Sequence, residues 1–268
     1  TTILMRYTLR LLTSQQYERA SSMICACEMI RKENENLLGT DRISIGLWVG
    51  GDTSPNNMQD AVKDYDKLYN GTSDINPFVI LKCPWCGAQM GVINKKGRLR
   101  ETPGYKKIKI GASKKIIFQC NNAHKCDFSQ NGFELPLYIV DGDIYEKTPT
   151  LLLGTVDKFA MLPYRPEAQS IFGIKNGKRI TAPDLIIQDE LHLISGPLGS
   201  MVGHYETMIS ELSSFSNGKK TIKPKIIAST ATISRAYEQC HALYGCGTNN
   251  VKQFPPSGLD AGDSFFAV

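Results

Sequence analysis

Apolar residues along this chain gather in short runs separated by stretches of helical spacing. Residues 2–8 (TILMRYT) and 43–49 (ISIGLWV) read as buried strands, the second ended by Gly50-Gly51. Further strand-like runs are 151–154 (LLLG), 184–188 (DLIIQ) and 225–229 (KIIAS). Between them the spacing predicts helices over 14–38, 57–69, 199–215 and 234–244, and 158–162 begins another. Asn70-Gly71 is a turn signal that stops the second helix, and Ser234 is the expected N-cap of the last. Short apolar strands alternating with helices imply an α/β fold whose parallel sheet is covered on both faces. Ligands of such sheets bind beyond the carboxyl ends of the strands.

Residues 80–135 break the alternation. They are rich in Lys, Gly, Asn and Cys, with short alternating segments at 106–110 and 115–119. This predicts a small β-rich insertion in the α/β frame, which then occupies 1–79 and 136–256, with 257–268 as a linker.

Composition narrows the class. Of 268 residues, 41% are hydrophobic and 21% charged, as in a globular protein, and no apolar run is long enough for a membrane helix. The start, TTILMRYT, has no basic n-region, so a cytoplasmic protein without membrane contact is expected. It does not begin with Met, which suggests an internal piece of a longer chain. The net charge of +5 suits a polyanion partner without demanding one. Lys95, Lys96, Arg98, Arg100, Lys106, Lys107, Lys109, Lys114 and Lys115 are opposed only by Glu101. They form either a solvated hairpin face or a phosphate-contacting surface.

Four of the eight cysteines have metal-site spacing. Cys83-Pro-Trp-Cys86-Gly is a zinc-knuckle string, and Cys120 and Cys126 follow within CNNAHKC. Four thiolates would hold a structural zinc, with His124 as an alternative to one of the second pair. A thioredoxin-like redox pair would need a helix start in a βαβ setting, which the Gly-rich context disfavours. Cys25, Cys27, Cys240 and Cys246 lack metal spacing.

The strongest chemical signal is Asp189-Glu190-Leu191-His192 after Leu185-Ile186-Ile187. Adjacent carboxylates at the end of a buried strand are costly unless they have a task, the bland alternative being a solvated acidic turn. In a nucleotide-hydrolysing motor the Asp holds Mg²⁺ and the Glu activates the attacking water. Some forty residues on, Ser229-Thr230-Ala231-Thr232 closes another strand, where small hydroxyls can hydrogen-bond across to the acidic turn.

DELH and STAT resemble motifs II and III of superfamily 2 DExH helicases. Three weaker matches keep the family's order. Arg10-Leu-Leu-Thr13-Ser-Gln15 resembles motif Ia without its proline, Gly50-Gly51 the GG element, and residues 154–159 (GTVDKF) motif Ib. GTVDKF and DELHLISGPLGS are similar to large bacterial helicases such as the one of the anti-phage system DISARM. The resemblance implies a RecA-like first motor domain with a zinc-ribbon insertion. It assigns catalysis and coupling to Asp189, Glu190, His192, Thr230 and Thr232, and nucleic-acid contacts to Arg10, Gln15, Gly50, Gly51, Thr155 and Lys158. It implies ATP and Mg as cofactors, DNA rather than RNA as partner, and a defence or repair complex. The departure from the family is that no G-x-x-x-x-G-K-[ST] loop is present. Gly173-Ile-Lys-Asn-Gly177-Lys178-Arg179 is one residue short, lacks the hydroxyl, and reads as a turn. The Walker A loop is then expected upstream of Thr1 and the second motor domain downstream of Val268. The alternative is a non-catalytic zinc-ribbon binding module on a degenerate RecA-like scaffold.

Overall fold

The run TILMRYT forms β1 (Ile3–Tyr7), and its alternation separates two cores. Ile3, Met5 and Tyr7 join one apolar cluster, while Leu4 joins the other. The computed structural model describes residues 1–51, 54–94, 100–123, 125–129, 133–216, 218, 220–231 and 235–254. Six strands make one parallel sheet: β1, β2 (Ile45–Trp48), β5 (Leu137–Tyr138), β6 (Leu151–Thr155), β7 (Leu185–Gln188) and β8 (Lys225–Ala228). The order across the sheet is β8-β7-β1-β6-β2-β5. Strands β2 and β6 are buried at every position, as expected where helices cover both faces.

One face is covered by α1 (Arg10–Glu33), α2 (Met58–Asn70) and the 80–135 segment. The helix expected over 14–38 starts earlier and breaks at Asn34 (φ −124, ψ 39), leaving one turn at Glu35–Leu38. Helix α2 has both punctuation marks that the sequence carries. Asn57 Oδ1 accepts the Asp60 N–H at 2.9 Å, and Gly71 closes the helix in the left-handed region at φ 76.

The other face carries α3 (Asp141–Lys147), two 3-10 segments (Val156–Tyr164 and Pro166–Phe172) and α4 (Gly196–Ser213). The helix expected to begin at 158–162 is 3-10, and Pro163 within it has no N–H for an α-helical bond. The last helix, α5, runs Ala236–Tyr244; Ser234, its expected cap, lies outside the described residues. The string 173–179 is a turn as expected: Ile174–Lys175 pairs with Lys178–Arg179 across Asn176-Gly177, both at positive φ. Gly173 could not be otherwise, since a Cβ there would lie 1.9 Å from the Thr181 carbonyl oxygen.

Strand β8 departs from the expectation of a sheet covered on both faces. Among the described residues it pairs only with β7, and Ile226 and Ile227 are 38% and 45% exposed. Within 80–135, β3 (Tyr105–Ile110) and β4 (Ser113–Phe118) form an antiparallel hairpin. Phe78, Ile80, Tyr105, Phe118 and Phe128 share one continuous cluster with Tyr17 and Ile24 of α1 and Leu47 of β2.

Candidate functional site

At the carboxyl end of β7 the chain makes a hydrogen-bonded knot with its two neighbours. The Asp189 N–H donates to the Arg6 carbonyl of β1 at 2.9 Å, and the Ser229 N–H donates to the Gln188 carbonyl at 2.9 Å. Glu190 then takes the left-handed conformation (φ 53, ψ 49), which costs a non-glycine residue roughly 1–2 kcal/mol. That turn sends Leu191 under the end of β8, where its N–H donates to the Ser229 carbonyl at 2.9 Å. Asp189 Oδ1 accepts the Glu190 N–H at 3.0 Å and also the Ser229 hydroxyl. His192 Nδ1 lies 3.1 Å from Thr230 Oγ1 and 3.3 Å from Glu190 Oε2. Asp189, Glu190, His192 and Thr230 are therefore neighbours, and Thr232 lies outside the described residues. Burial and, after it, the Asp189 charge push the Tyr7 hydroxyl up to about 12.

Two further residues hold this turn: Ser229, one of the small hydroxyls expected to reach the acidic turn, and Gln239, which was not singled out from the sequence. Ser229 supplies the direct link to Asp189. Gln239 of α5 donates from Nε2 to the carbonyls of Leu191 at 3.0 Å and Ile194 at 2.9 Å. Ser229 stood within the STAT string; nothing local marked Gln239. Arg6 was visible as a charge inside an apolar strand. Its guanidinium is buried and pairs with Glu206 of α4, whose carboxyl burial pushes up despite the arginine.

The residues expected to touch nucleic acid divide. Gln15 is exposed on α1, Gly51 is exposed after β2, and Gly50 is partly exposed; Arg10 opens α1. The side chains of Thr155 and Lys158 are instead buried. Lys158 Nζ lies 2.7 Å from Asp141 Oδ2, and each side chain is 6% exposed. Removing either member of such a buried pair leaves the other charge uncompensated. Burial, opposed by Lys158, raises the Asp141 carboxyl above its ordinary range. Tyr145 donates to the same carboxylate at 3.5 Å and accepts the Trp48 indole N–H at 3.0 Å. Lys158 is thus a brace between the 3-10 segment after β6 and α3.

The cysteines form a second centre. The sulfurs of Cys83, Cys86, Cys120 and Cys126 all lie within 4.8 Å of one another, with Cys83–Cys126 at 3.8 Å and Cys86–Cys120 at 3.6 Å. A tetrahedral ion with metal–sulfur bonds of about 2.3 Å separates its ligands by about 3.8 Å. A disulfide would need about 2.05 Å, and all four are free thiols. Backbone N–H groups also point at the sulfurs, that of Asn122 reaching Cys120 at 3.4 Å. Burial raises Cys83 to about 11, whereas at Cys86 the Ala88 N–H and neighbouring thiols outweigh burial and lower it. This donor set fits a divalent metal such as zinc, which four thiolates would hold with no open coordination position. His124, the alternative ligand, lies outside the described residues. No described helix is long and apolar enough to cross a membrane.

No protein-family model matches the chain. Among solved structures, the DUF1998 helicase MrfA bound to DNA aligns with 92% of this chain and 24% of its own, at 14% identity and a TM-score of 0.32. Among curated proteins, DISARM protein DrmA of Bacillus paralicheniformis is 40% identical over 99% of this chain. The chain spans 25% of the length of that relative. The resemblance to the anti-phage system DISARM, drawn above from GTVDKF and DELHLISGPLGS, is thereby borne out, and the chain is a relative of DISARM protein DrmA along nearly its whole length.

Proposed function

We propose that the chain is part of the first motor domain of an ATP-dependent nucleic-acid helicase or translocase acting on DNA, within an anti-phage defence system. The observation that carries this reading is the knot at the ends of β7 and β8. Asp189 and Glu190 stand at the carboxyl end of a parallel sheet, where such folds bind their ligands. Asp189 Oδ1 accepts the Glu190 N–H and the Ser229 hydroxyl, which fixes the carboxylate in the position from which it would hold a divalent cation. Glu190 is the base for the attacking water, and His192 sits between it and Thr230. The Ser229–Asp189 and Thr230–His192 bonds give a route by which a change at the acidic pair reaches β8 and the segment after it. Bound Mg-ATP would supply the phosphoryl group and its charge neutralisation. The metal held by the four cysteines is structural in this reading, and Gln15, Gly50 and Gly51 lie toward the nucleic acid.

The test is Glu190→Gln in the full-length protein that contains this chain. The amide keeps the shape but cannot accept a proton, so hydrolysis should vanish while ATP binding persists. Asp189→Ala should weaken Mg-nucleotide binding as well. Undiminished hydrolysis in the Gln variant would remove Glu190 from this role. Absence of nucleotide binding in the wild type would favour the non-catalytic zinc-ribbon module.

A further inference from the structure

The β3–β4 hairpin is basic in an unusual way. Its fourteen positions, 105–118, hold five lysines and no acid. Near its root the charges are held. Lys107 pairs with Asp66 of α2, Lys115 pairs with Asp143 of α3 at 2.9 Å, and Lys106 donates to the Gln119 amide at 2.5 Å. At the tip they are not. Lys109 and Lys114 are directly opposite in the ladder, both exposed, and among the described residues neither is in an ion pair. Side chains directly opposite on one face have their Cβ atoms about 5 Å apart, and like charges there are mutually destabilising. A two-residue turn, Gly111-Ala112, closes the hairpin, with Gly111 at φ 59, and Ile110 beside it is 57% exposed.

The position of the root gives this pair a direction. The Ile116 N–H lies 3.3 Å from Met58 Sδ at the start of α2, just after the loop that begins with Gly50-Gly51. The Asp141 N–H donates to the Pro55 carbonyl of that loop at 3.2 Å. Asp143, which holds Lys115, is on the same short helix. The hairpin is therefore anchored beside the carboxyl ends of β2 and β5, the side of the sheet where the proposed nucleic-acid residues Gly50 and Gly51 stand.

We infer that the tip of this hairpin, through Lys109 and Lys114, is a phosphate-binding element that extends the nucleic-acid surface from the strand ends onto the cysteine-bearing insertion. This rests on the reading of the protein as a nucleic-acid motor. A polyphosphate backbone is the partner whose charge relieves the lysine pair, because its phosphates recur at the spacing of adjacent cationic side chains. The contacts carry no base sequence information.

The test is the double variant Lys109→Ala, Lys114→Ala in the protein, with affinity for fluorescent DNA measured by anisotropy from low to high salt. Two lost phosphate contacts should reduce the slope of log affinity against log salt by about 1.4–1.8. At 0.1 M salt that is a loss of about 25- to 60-fold, fading toward 1 M. Lys109→Arg with Lys114→Arg should keep the wild-type slope. The alanine variant should melt no lower than wild type, since a like-charge contact is removed. An unchanged slope while wild type binds DNA would overturn the hairpin inference alone. Wild type that binds no nucleic acid would overturn both it and the motor reading.

Discussion

Metal removal tests how the cysteine centre is built into the fold. The sequence leads one to expect that chelation would disorder 80–135 and spare the frame. The structure changes that expectation, because Phe78, Ile80, Tyr105, Phe118 and Phe128 are in the same buried cluster as Tyr17, Ile24 and Cys25 of α1. Cys25 is close enough to Cys83 that, after burial, its largest perturbation is that thiol. Thiolate coordination of zinc contributes roughly 10 kcal/mol or more, comparable with the whole stability of a domain. The first effect is therefore loss of the hairpin: amides of β3 and β4 should lose most of their protection. The second effect is on α1. Withdrawing one large buried side chain from a packed neighbour costs about 2–5 kcal/mol. At 1.4 kcal/mol per tenfold, exchange of the α1 amides around residues 17–25 should speed up by about 30- to 4,000-fold. Strands β1, β6 and β7, braced also by the second cluster, should keep most of their protection. The assay is metal analysis with hydrogen exchange read by mass spectrometry before and after chelator. A metal-free protein with β3 and β4 equally protected would end the metal hypothesis. A disordered hairpin with α1 untouched would refute the shared core.

Other outcomes follow from single contacts. Lys158→Ala should destabilise by about 3–5 kcal/mol in a denaturant melt, since Asp141 is left buried and unpaired, and adding Asp141→Asn should restore part of it; a cost near zero would contradict the brace. Thr230→Ala should leave ATP hydrolysis in place and impair unwinding or translocation, whereas unimpaired movement would remove the coupling role. The 268-residue chain by itself, lacking G-x-x-x-x-G-K-[ST], should show no steady ATP turnover; turnover that Glu190→Gln abolishes would refute this.

Sequence alone determined what is local. The apolar run of β1, the stops at Gly50-Gly51 and Asn70-Gly71, the turn at Asn176-Gly177 and the CxxC knuckle each depend on a few adjacent residues. The order of DELH and STAT along the chain was legible too, and with a parallel sheet it placed both at one edge. What only the tertiary structure decided is which side chains are withdrawn from water. Nothing in GTVDKF shows that Lys158 is buried against Asp141, seventeen residues away in the chain. Ser229 becomes the partner of Asp189 only because β7 and β8 are adjacent and in register, forty residues apart. Gln239 reaches the acidic turn from a helix whose packing no local pattern specifies. The insertion looked separable because its own apolar residues are few; its burial comes from α1 and β2, contacts between segments distant in the chain that composition does not record.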